Sequence, residues 1–273
     1  MQLIDTHAHI CFDSYDEDRA AMMDRAYSSG VFKIVHPCCS LNEIPTLLKL
    51  TEEYNGVNKI NLYSALGVHP TEIGSWDNNS AKEIEEYLIS NLNKPLCKIK
   101  AIGETGLDYY HGKEADEQAK QRAVFREQIA LAKKYQLPLI VHTRDAWEDT
   151  LQILQEEYPI NPDANSGTLH CYTGDYDFAS EIIKHGFYIS WSGIVTYKKN
   201  DHFRDTAKRI PIEKILIETD CPFLAPQAMR GKRNEPSFVN YIAETLAECY
   251  GISKEELAEI STKNAEKLFK ISF

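Results

Sequence analysis

Near its N-terminus the chain reads Leu3-Ile4-Asp5-Thr6-His7-Ala8-His9, two apolar residues giving way to a carboxylate and two imidazoles. Alternate side chains of a β-strand share a face, so His7 and His9 point the same way with Asp5 behind them. Two imidazoles at a strand end are half of a metal site, because neutral imidazole is a favoured ligand of zinc, nickel and related ions. More metal-capable residues follow other apolar stretches: His69 after Gly67-Val68, Glu104 after Ile102-Gly103, His142 after Ile140-Val141, His170 after Leu169, and Asp220 after Glu218-Thr219. Five of the nine histidines stand at such ends, which is more than scattered surface histidines would give.

Residues this far apart need a frame that gathers them. Short apolar runs recur at Leu3–Thr6, Phe32–Val35, Leu62–Val68, Ile99–Gly103, Leu137–Val141, Gly167–Leu169, Phe187–Trp191 and Ile215–Glu218. Several are rich in Ile, Val and Leu without clean alternation, as strands buried on both faces are. Helix-like segments separate them: Tyr15–Ser29, Asn42–Tyr54, Ser80–Leu92, Asp116–Tyr135, Asp145–Glu157, Phe178–His185 and Asp201–Arg209. Two more, Ser237–Tyr250 and Ser253–Leu268, close the chain. Ser80 with Glu83, and Ser253 with Glu256, have capping-box spacing. Eight strand–helix repeats predict an α/β fold, a (β/α)8 TIM barrel over residues 1–273 as a single domain, with its site at the C-terminal ends of the strands. A doubly wound open sheet is the competing arrangement. The loosest stretch, Pro222–Pro236, is read as a long loop after strand eight.

Strands one and eight are neighbours once a barrel closes, so His7, His9 and Asp220 are placed to hold one divalent ion. His142 and His170, from strands five and six, are placed to hold a second, and Glu104 on strand four has two oxygens with which to bridge both. Two divalent ions against two carboxylates leave about two surplus positive charges, which suits a phosphate and a bridging hydroxide. Ions roughly 3.5–4 Å apart acidify water and clamp the attacking and leaving oxygens together. Asp220 is expected to act in catalysis by positioning or deprotonating the water, and Glu104 by bridging.

Around this set, His69 is expected to bind a substrate phosphate or to support a ligand, and Arg144 to meet a phosphate or a carboxylate. Asp145 is read as a helix N-cap, and Asp108 and Tyr109 as residues that shape the pocket. Arg230, Lys232 and Arg233 are the compact basic cluster beside the mouth, suited to nucleic-acid backbone. Tyr110, Tyr172, Phe223 and Trp191 are candidates for stacking on bases, set against the usual core role of barrel aromatics. His36 is read as structural, and His111, His185 and His202 as surface residues. Cys38-Cys39 lacks partner cysteines at ligand spacing and is not assigned a metal.

The formal net charge of −11 argues against a protein that grips long duplex through a basic surface, so attraction to nucleic acid would have to be local. Seven scattered cysteines with no Cys-x-x-Cys suggest reduced thiols and a cytoplasmic setting. No stretch is apolar for long enough to span a bilayer, and no signal-peptide pattern opens the chain. No membrane partner is therefore expected.

Asp5-Thr6-His7-Ala8-His9, Gly67-Val68-His69-Pro70, Ile102-Gly103-Glu104-Thr105-Gly106-Leu107-Asp108-Tyr109, His142-Thr143-Arg144-Asp145-Ala146, His170-Cys171-Tyr172-Thr173-Gly174, Glu218-Thr219-Asp220-Cys221-Pro222 and Arg230-Gly231-Lys232-Arg233-Asn234-Glu235-Pro236 together resemble the TatD family of metal-dependent deoxyribonucleases. The resemblance runs through nearly the whole chain in the family's order. It implies a TIM barrel of the amidohydrolase superfamily and a nuclease that hydrolyses DNA phosphodiesters through a metal-bound hydroxide, as a 3′–5′ exonuclease on single-stranded or frayed ends. His7, His9, Glu104, His142, His170 and Asp220 match its ligand positions. Many relatives in the superfamily bridge their metals with a carboxylated lysine; Glu104 in that place points to the TatD branch. The cofactors implied are two divalent ions drawn from zinc, manganese, magnesium or nickel, and a monomer is expected. The competing readings are a hydrolase of an amide, lactone or aminoacyl ester on the same scaffold, and a non-enzymatic metal-binding protein. The basic loop favours a phosphate substrate over the first, and the complete ligand set argues against the second.

Overall fold

In the computed structural model, which describes residues 2–56, 59–92, 94 and 98–272, the apolar runs become eight strands. They are β1 (Leu3–Asp5), β2 (Val31–Pro37), β3 (Asn61–Leu66), β4 (Ile99–Asp108), β5 (Leu139–Arg144), β6 (Gly167–Leu169), β7 (Phe187–Trp191) and β8 (Ile215–Ile217). Each pairs in parallel with the next in chain order. The last seam closes just beyond β1 and β8. The Thr6 N–H donates to the Ile217 carbonyl (3.2 Å), the Asp220 N–H to that of His7 (2.9 Å) and the His9 N–H to that of Cys221 (2.8 Å). A parallel bridge joins Ala8 to Cys221. The fold is therefore a closed TIM barrel rather than an open sheet.

The helices are α1 (Arg19–Ser28), α2 (Ile44–Tyr54), α3 (Ser80–Leu92), α4 (Ala115–Tyr135), α5 (Trp147–Glu157), α6 (Tyr176–Ile183), α7 (Asp201–Ala207), α8 (Val239–Tyr250) and α9 (Lys254–Phe269). Their apolar faces cover the outside of the barrel in one large core that includes Leu3, Ile34, Leu62, Ile102, Phe125 and Leu246. A second core fills the barrel itself, with Ile4, Val35, Tyr63, Ala101, Ile140, Tyr188 and Leu216 in contact. Ala265, Leu268 and Phe269 of α9 join it, and Asn264 Nδ2 donates to the Ile215 carbonyl at the start of β8. α9 thus plugs the end of the barrel opposite the histidines. Its start is fixed by the expected box, with the Ser253 hydroxyl and the Glu256 carboxylate each meeting the other's backbone N–H.

Several expected boundaries and caps move. β4 runs on to Asp108 and β5 to Arg144, so Glu104 and His142 lie within strands rather than past them. α1 begins at Arg19 and not at Tyr15, because the Arg19 guanidinium donates to the carbonyls of Ile10 and Phe12 and holds the preceding segment as a turn. The Ser80–Glu83 box does not form; the Ser80 hydroxyl pairs instead with Asp77. Asp145 caps no helix: it has a left-handed φ of 53°, and α5 starts after Ala146 without a side-chain cap.

Candidate metal centre

The centre is organised by an irregularity in β4. Between Ile102 and Thr105 the ladder to β5 slips, three steps on β4 answering two on β5. The extra residue lets the Glu104 side chain leave the regular alternation, as at a β-bulge. Glycine is required beside it: Gly103 has φ +149°, and a Cβ there would stand 2.7 Å from the Ile140 carbonyl oxygen.

Two buried glutamines of α4, seven residues apart on its inner face, fix the neighbouring strand ends. The Gln128 side-chain oxygen accepts from the Val68 N–H (2.8 Å), and its amide donates to the Val68 carbonyl (3.0 Å). Gln121 makes the same two bonds to Asp108 (2.8 and 2.9 Å). The residues that carry His69 and Asp108 are thereby locked through their backbones.

The Glu104 carboxylate faces two groups of imidazoles, one with each oxygen. Oε2 lies 3.2 Å from His7 Nε2 and 3.5 Å from His9 Nε2. Oε1 lies 2.8 Å from His170 Nε2, 3.2 Å from His142 Nδ1 and 3.3 Å from His69 Nε2. Asp220 stands on the first side, with Oδ1 3.5 Å from His9 Nε2 and 3.8 Å from His7 Nε2. His7, His9 and Asp220 form one buried group whose donor atoms lie within 4.8 Å of one another; His7, Glu104 and His170 form a second, and His69, Glu104 and His142 a third. The chemistry of the set, several imidazole nitrogens and two carboxylates turned toward one small volume, fits divalent metal.

An outer layer orients the imidazoles. Asp108 Oδ2 is 3.1 Å from His142 Nε2 and is also held by His111 Nδ1 (2.9 Å). Glu218 Oε1 is 3.2 Å from His170 Nδ1 and accepts the Cys171 N–H at 2.6 Å, while the Ser190 hydroxyl donates to Oε2. His9 Nδ1 rests 3.8 Å from the Cys39 sulfur. Asp5, behind His7, accepts from the backbone of His7 and from the backbone and hydroxyl of Thr219. Carboxylate–imidazole pairs of this kind set which ring nitrogen stays free for a ligand.

Charge follows from the same contacts. Burial alone would push the Glu104 carboxyl up, but the imidazoles of His170, His69 and His7 outweigh it and hold Glu104 well below the usual carboxylate range. Asp220 is lowered against burial by His9 and His170. Burial carries Asp5 up to about 8, because only hydrogen bonds oppose it. Burial and the nearby His170 lower His7.

Among the residues expected to touch substrate, His69 is gathered into the centre. Among the described residues Arg144 meets neither the centre nor a carboxylate; its guanidinium lies 3.8 Å from the Tyr110 ring centre. Arg230 lies over Tyr197 at 4.6 Å, and Lys232 is exposed. Arg233 is already engaged, bonded to both Asp18 oxygens (2.7 and 2.8 Å) and to the Ser14 carbonyl. Tyr172 and Trp191 are core residues, 1% and 0% exposed, and cannot stack on a base, whereas Tyr110 and Phe223 are exposed. His36 is buried against Thr51 (2.7 Å). His185 is buried too, with Nδ1 2.6 Å from the Tyr158 carbonyl, contrary to the surface reading. The six described cysteines are all free, and among the described residues no helix is long and apolar enough to cross a membrane.

Sequence reasoning gave no role to Glu218 or the α4 glutamines and left Asp108 as a pocket residue. A glutamate in an apolar strand, and polar residues seven apart on a helix face otherwise buried, were the available signals.

Comparison with known proteins agrees with this geometry. Residues 4–270 match the family described as TatD related DNase. The chain is 41% identical over 270 residues to YabD, an uncharacterized metal-dependent hydrolase of Bacillus subtilis (strain 168), covering 99% of this chain and 100% of that protein. It is 35% identical over 275 residues to YcfH of Escherichia coli (strain K12), also named an uncharacterized metal-dependent hydrolase, covering 99% and 97%. The crystal structure of the TatD homologue YjjV from Escherichia coli K12 superimposes with a TM-score of 0.88 at 28% identity, covering 99% of this chain and 98% of that one. By sequence, fold and the residues gathered at its mouth, the chain belongs to the TatD family of metal-dependent hydrolases.

Proposed function

We propose that this protein is a metal-dependent deoxyribonuclease that hydrolyses phosphodiester bonds at single-stranded or frayed DNA ends, as a 3′–5′ exonuclease, with two divalent ions drawn from zinc, manganese, magnesium or nickel. The observation that carries the reading is the division of the Glu104 carboxylate between two imidazole groups. His7, His9 and Asp220 would hold one ion, His142 and His170 the other, and Glu104 both. His69 points a further nitrogen at Glu104 Oε1. In this reading it would donate to a phosphate oxygen of the substrate.

Bound divalent ions supply Lewis acidity and lower the pKa of water. The chain's own residues supply the rest. Asp220, held ionised by His9 and His170, accepts a proton from the attacking water at a carboxylate oxygen. Asp108 and Glu218 keep His142 and His170 from turning. Arg230 and Lys232, on the loop after β8, bind backbone phosphates away from the scissile bond. The family's description as DNases supports a nucleic-acid substrate. A cytoplasmic monomer working on DNA without a membrane partner fits the composition and the free thiols.

The test is incubation of metal-reconstituted protein with end-labelled single- and double-stranded DNA, with a panel of esters and amides alongside. Progressive shortening from the 3′ end of single strands is expected. Turnover of an ester or amide with DNA left intact would overturn the reading.

A further inference from the structure

Beside the centre lies a cleft of about 580 Å³ between the loops that follow β1, β2 and β8. Its walls are the rings of Phe12 and Phe223, 5.9 Å apart and edge to face. Phe12 also stacks on His9 at 4.9 Å, and Phe223 meets His9 at 6.4 Å, so the aromatic wall of the cleft touches a residue of the centre. Phe223 is 53% exposed, which is unusual for a large apolar side chain.

The polar lining has one sign. Asp13, Glu43 and Asn42 face the cleft, and no Lys or Arg does. Glu43 spends one oxygen on the Cys39 N–H (2.7 Å). A phosphate is repelled here; a flat, neutral group that donates hydrogen bonds is not. Across the mouth, on the loop after β4, stands Tyr110, 48% exposed, with the Arg144 guanidinium stacked on it and Lys113 5.8 Å from its ring centre. Neither cation pairs with a carboxylate among the described residues. In a closed ring of eight strands the β8/β1 seam and the β4/β5 seam are diametrically opposed. Strands about 4.8 Å apart and tilted about 36° make that span about 15 Å at the backbone, or roughly four stacked nucleotides.

We propose that the Phe12–Phe223 cleft is a nucleobase pocket, which takes one base of a single strand threaded across the mouth while Tyr110 and Arg144 grip the strand on the far side. The proposal rests on the nuclease reading and adds a selectivity to it. The carboxylates of Asp13 and Glu43 accept from the exocyclic amines of cytosine or adenine, and thymine has no such group. The pocket therefore favours cytosine and adenine over thymine.

The experiment uses the full-length, metal-loaded protein and phosphorothioate-linked pentadeoxynucleotides of cytosine, adenine or thymine, with Kd read by fluorescence anisotropy. The amine-bearing strands are expected to bind about fivefold or more tightly than the thymine strand. Phe223→Ala is expected to weaken binding about tenfold or more, to lose that effect on strands made abasic at the stacked position, and to restore the emission of a 2-aminopurine that the wild type quenches. Phe223→Leu, which keeps apolar bulk on this exposed loop, is expected to restore the same emission. Asp13→Asn with Glu43→Gln should erase the base preference, and Tyr110→Ala should weaken all strands alike. If the wild type binds or cuts these strands but Phe223→Ala and Phe223→Leu bind within twofold of it, the pocket is refuted and the nuclease reading stands. A wild type that neither binds nor cuts them overturns both.

Discussion

Glu218 is the residue whose removal most directly tests how the centre is held. It is wholly buried, and its two oxygens receive His170 Nδ1 (3.2 Å), the Cys171 N–H (2.6 Å) and the Ser190 hydroxyl (2.5 Å). Glu218→Gln keeps the shape: its amide oxygen can accept from His170 and Cys171, and its amide can donate to Ser190. What it loses is the charge that makes the opposite ring nitrogen of His170 a better donor to metal. Loss of such an outer partner costs about 10–100-fold in metal affinity. Glu218→Ala goes further and strips three buried donors of their acceptor. At about 1–3 kcal/mol for each unsatisfied group, partly relieved by water entering the space, this predicts roughly 3–6 kcal/mol of lost stability. The assay is competition for zinc against a chromophoric chelator, with urea unfolding of the metal-free protein in parallel. Glu218→Gln should weaken zinc binding at nearly unchanged unfolding midpoint, and Glu218→Ala should weaken binding and stability together. Unaltered zinc affinity in Glu218→Gln would refute the argument that Glu218 acts through His170.

The other predictions concern charge in three settings. Asp220→Asn keeps an oxygen for metal but cannot take a proton from water, so kcat should stay roughly 10²–10⁴-fold low at saturating metal; full rescue by excess metal would leave Asp220 a ligand alone. Arg230→Ala with Lys232→Ala should raise KM for DNA at low salt, with an effect that shrinks as salt rises. Arg233→Ala should instead leave KM nearly unchanged and cost up to about 1 kcal/mol of stability, because its partner is Asp18 on a partly exposed surface; equal KM effects at all three positions would contradict this division. Burial pushes His36 down to about 3 from an ordinary value of 6.5, so the unfolded chain takes up a proton that the folded one refuses. The resulting stability is present above pH 6.5 and is lost as pH falls toward 3, by about 2 kcal/mol at pH 5. Urea unfolding at pH 8 and pH 5 should give His36→Gln a flatter pH dependence than the wild type by about that amount; equal slopes would place the titration elsewhere.

The barrel was legible because its strands are buried on both faces and so stand out as apolar runs between amphipathic segments. The core positions of β2, β6 and β7 coincide closely with those runs. Strand ends were less legible where function intervenes. β4 looked finished at Gly103 because the next residues, Glu104, Thr105 and Gly106, are polar or small, yet the strand continues to Asp108. The Glu104 carboxylate is satisfied by the centre, the backbone by β5 and by Gln121 rather than by solvent, while the buried Thr105 hydroxyl has no partner among the described residues. Helix caps failed for a related reason. Ser80 and Asp145 have the right types for caps, but a cap is decided by which backbone N–H is in reach: the Ser80 hydroxyl pairs with Asp77 instead, and Asp145 sits in a left-handed conformation.

The residues gathered at the mouth could be read because each sits at the end of an apolar run and each strand end faces the same side. Their supports could not. Asp108, Glu218, Gln121 and Gln128 act through contacts between residues 13 to 60 positions apart, which no local spacing encodes. The basic loop shows the converse. Arg230, Lys232 and Arg233 are equivalent as a charge cluster, but the fold places Asp18 and Tyr15 beside only the last of them. A cation that already has a carboxylate partner has less to gain from a phosphate, since it must first give up that pair. Arg144 differs from Arg233 in this respect, although its place two residues after His142 ties it to the centre in the sequence. In the structure it leans outward onto Tyr110, with no carboxylate partner among the described residues. Binding a phosphate there breaks no carboxylate pair, as it would at Arg233, so nucleic-acid affinity in this acidic protein should depend on where its unpaired cations stand rather than on how many basic residues it has.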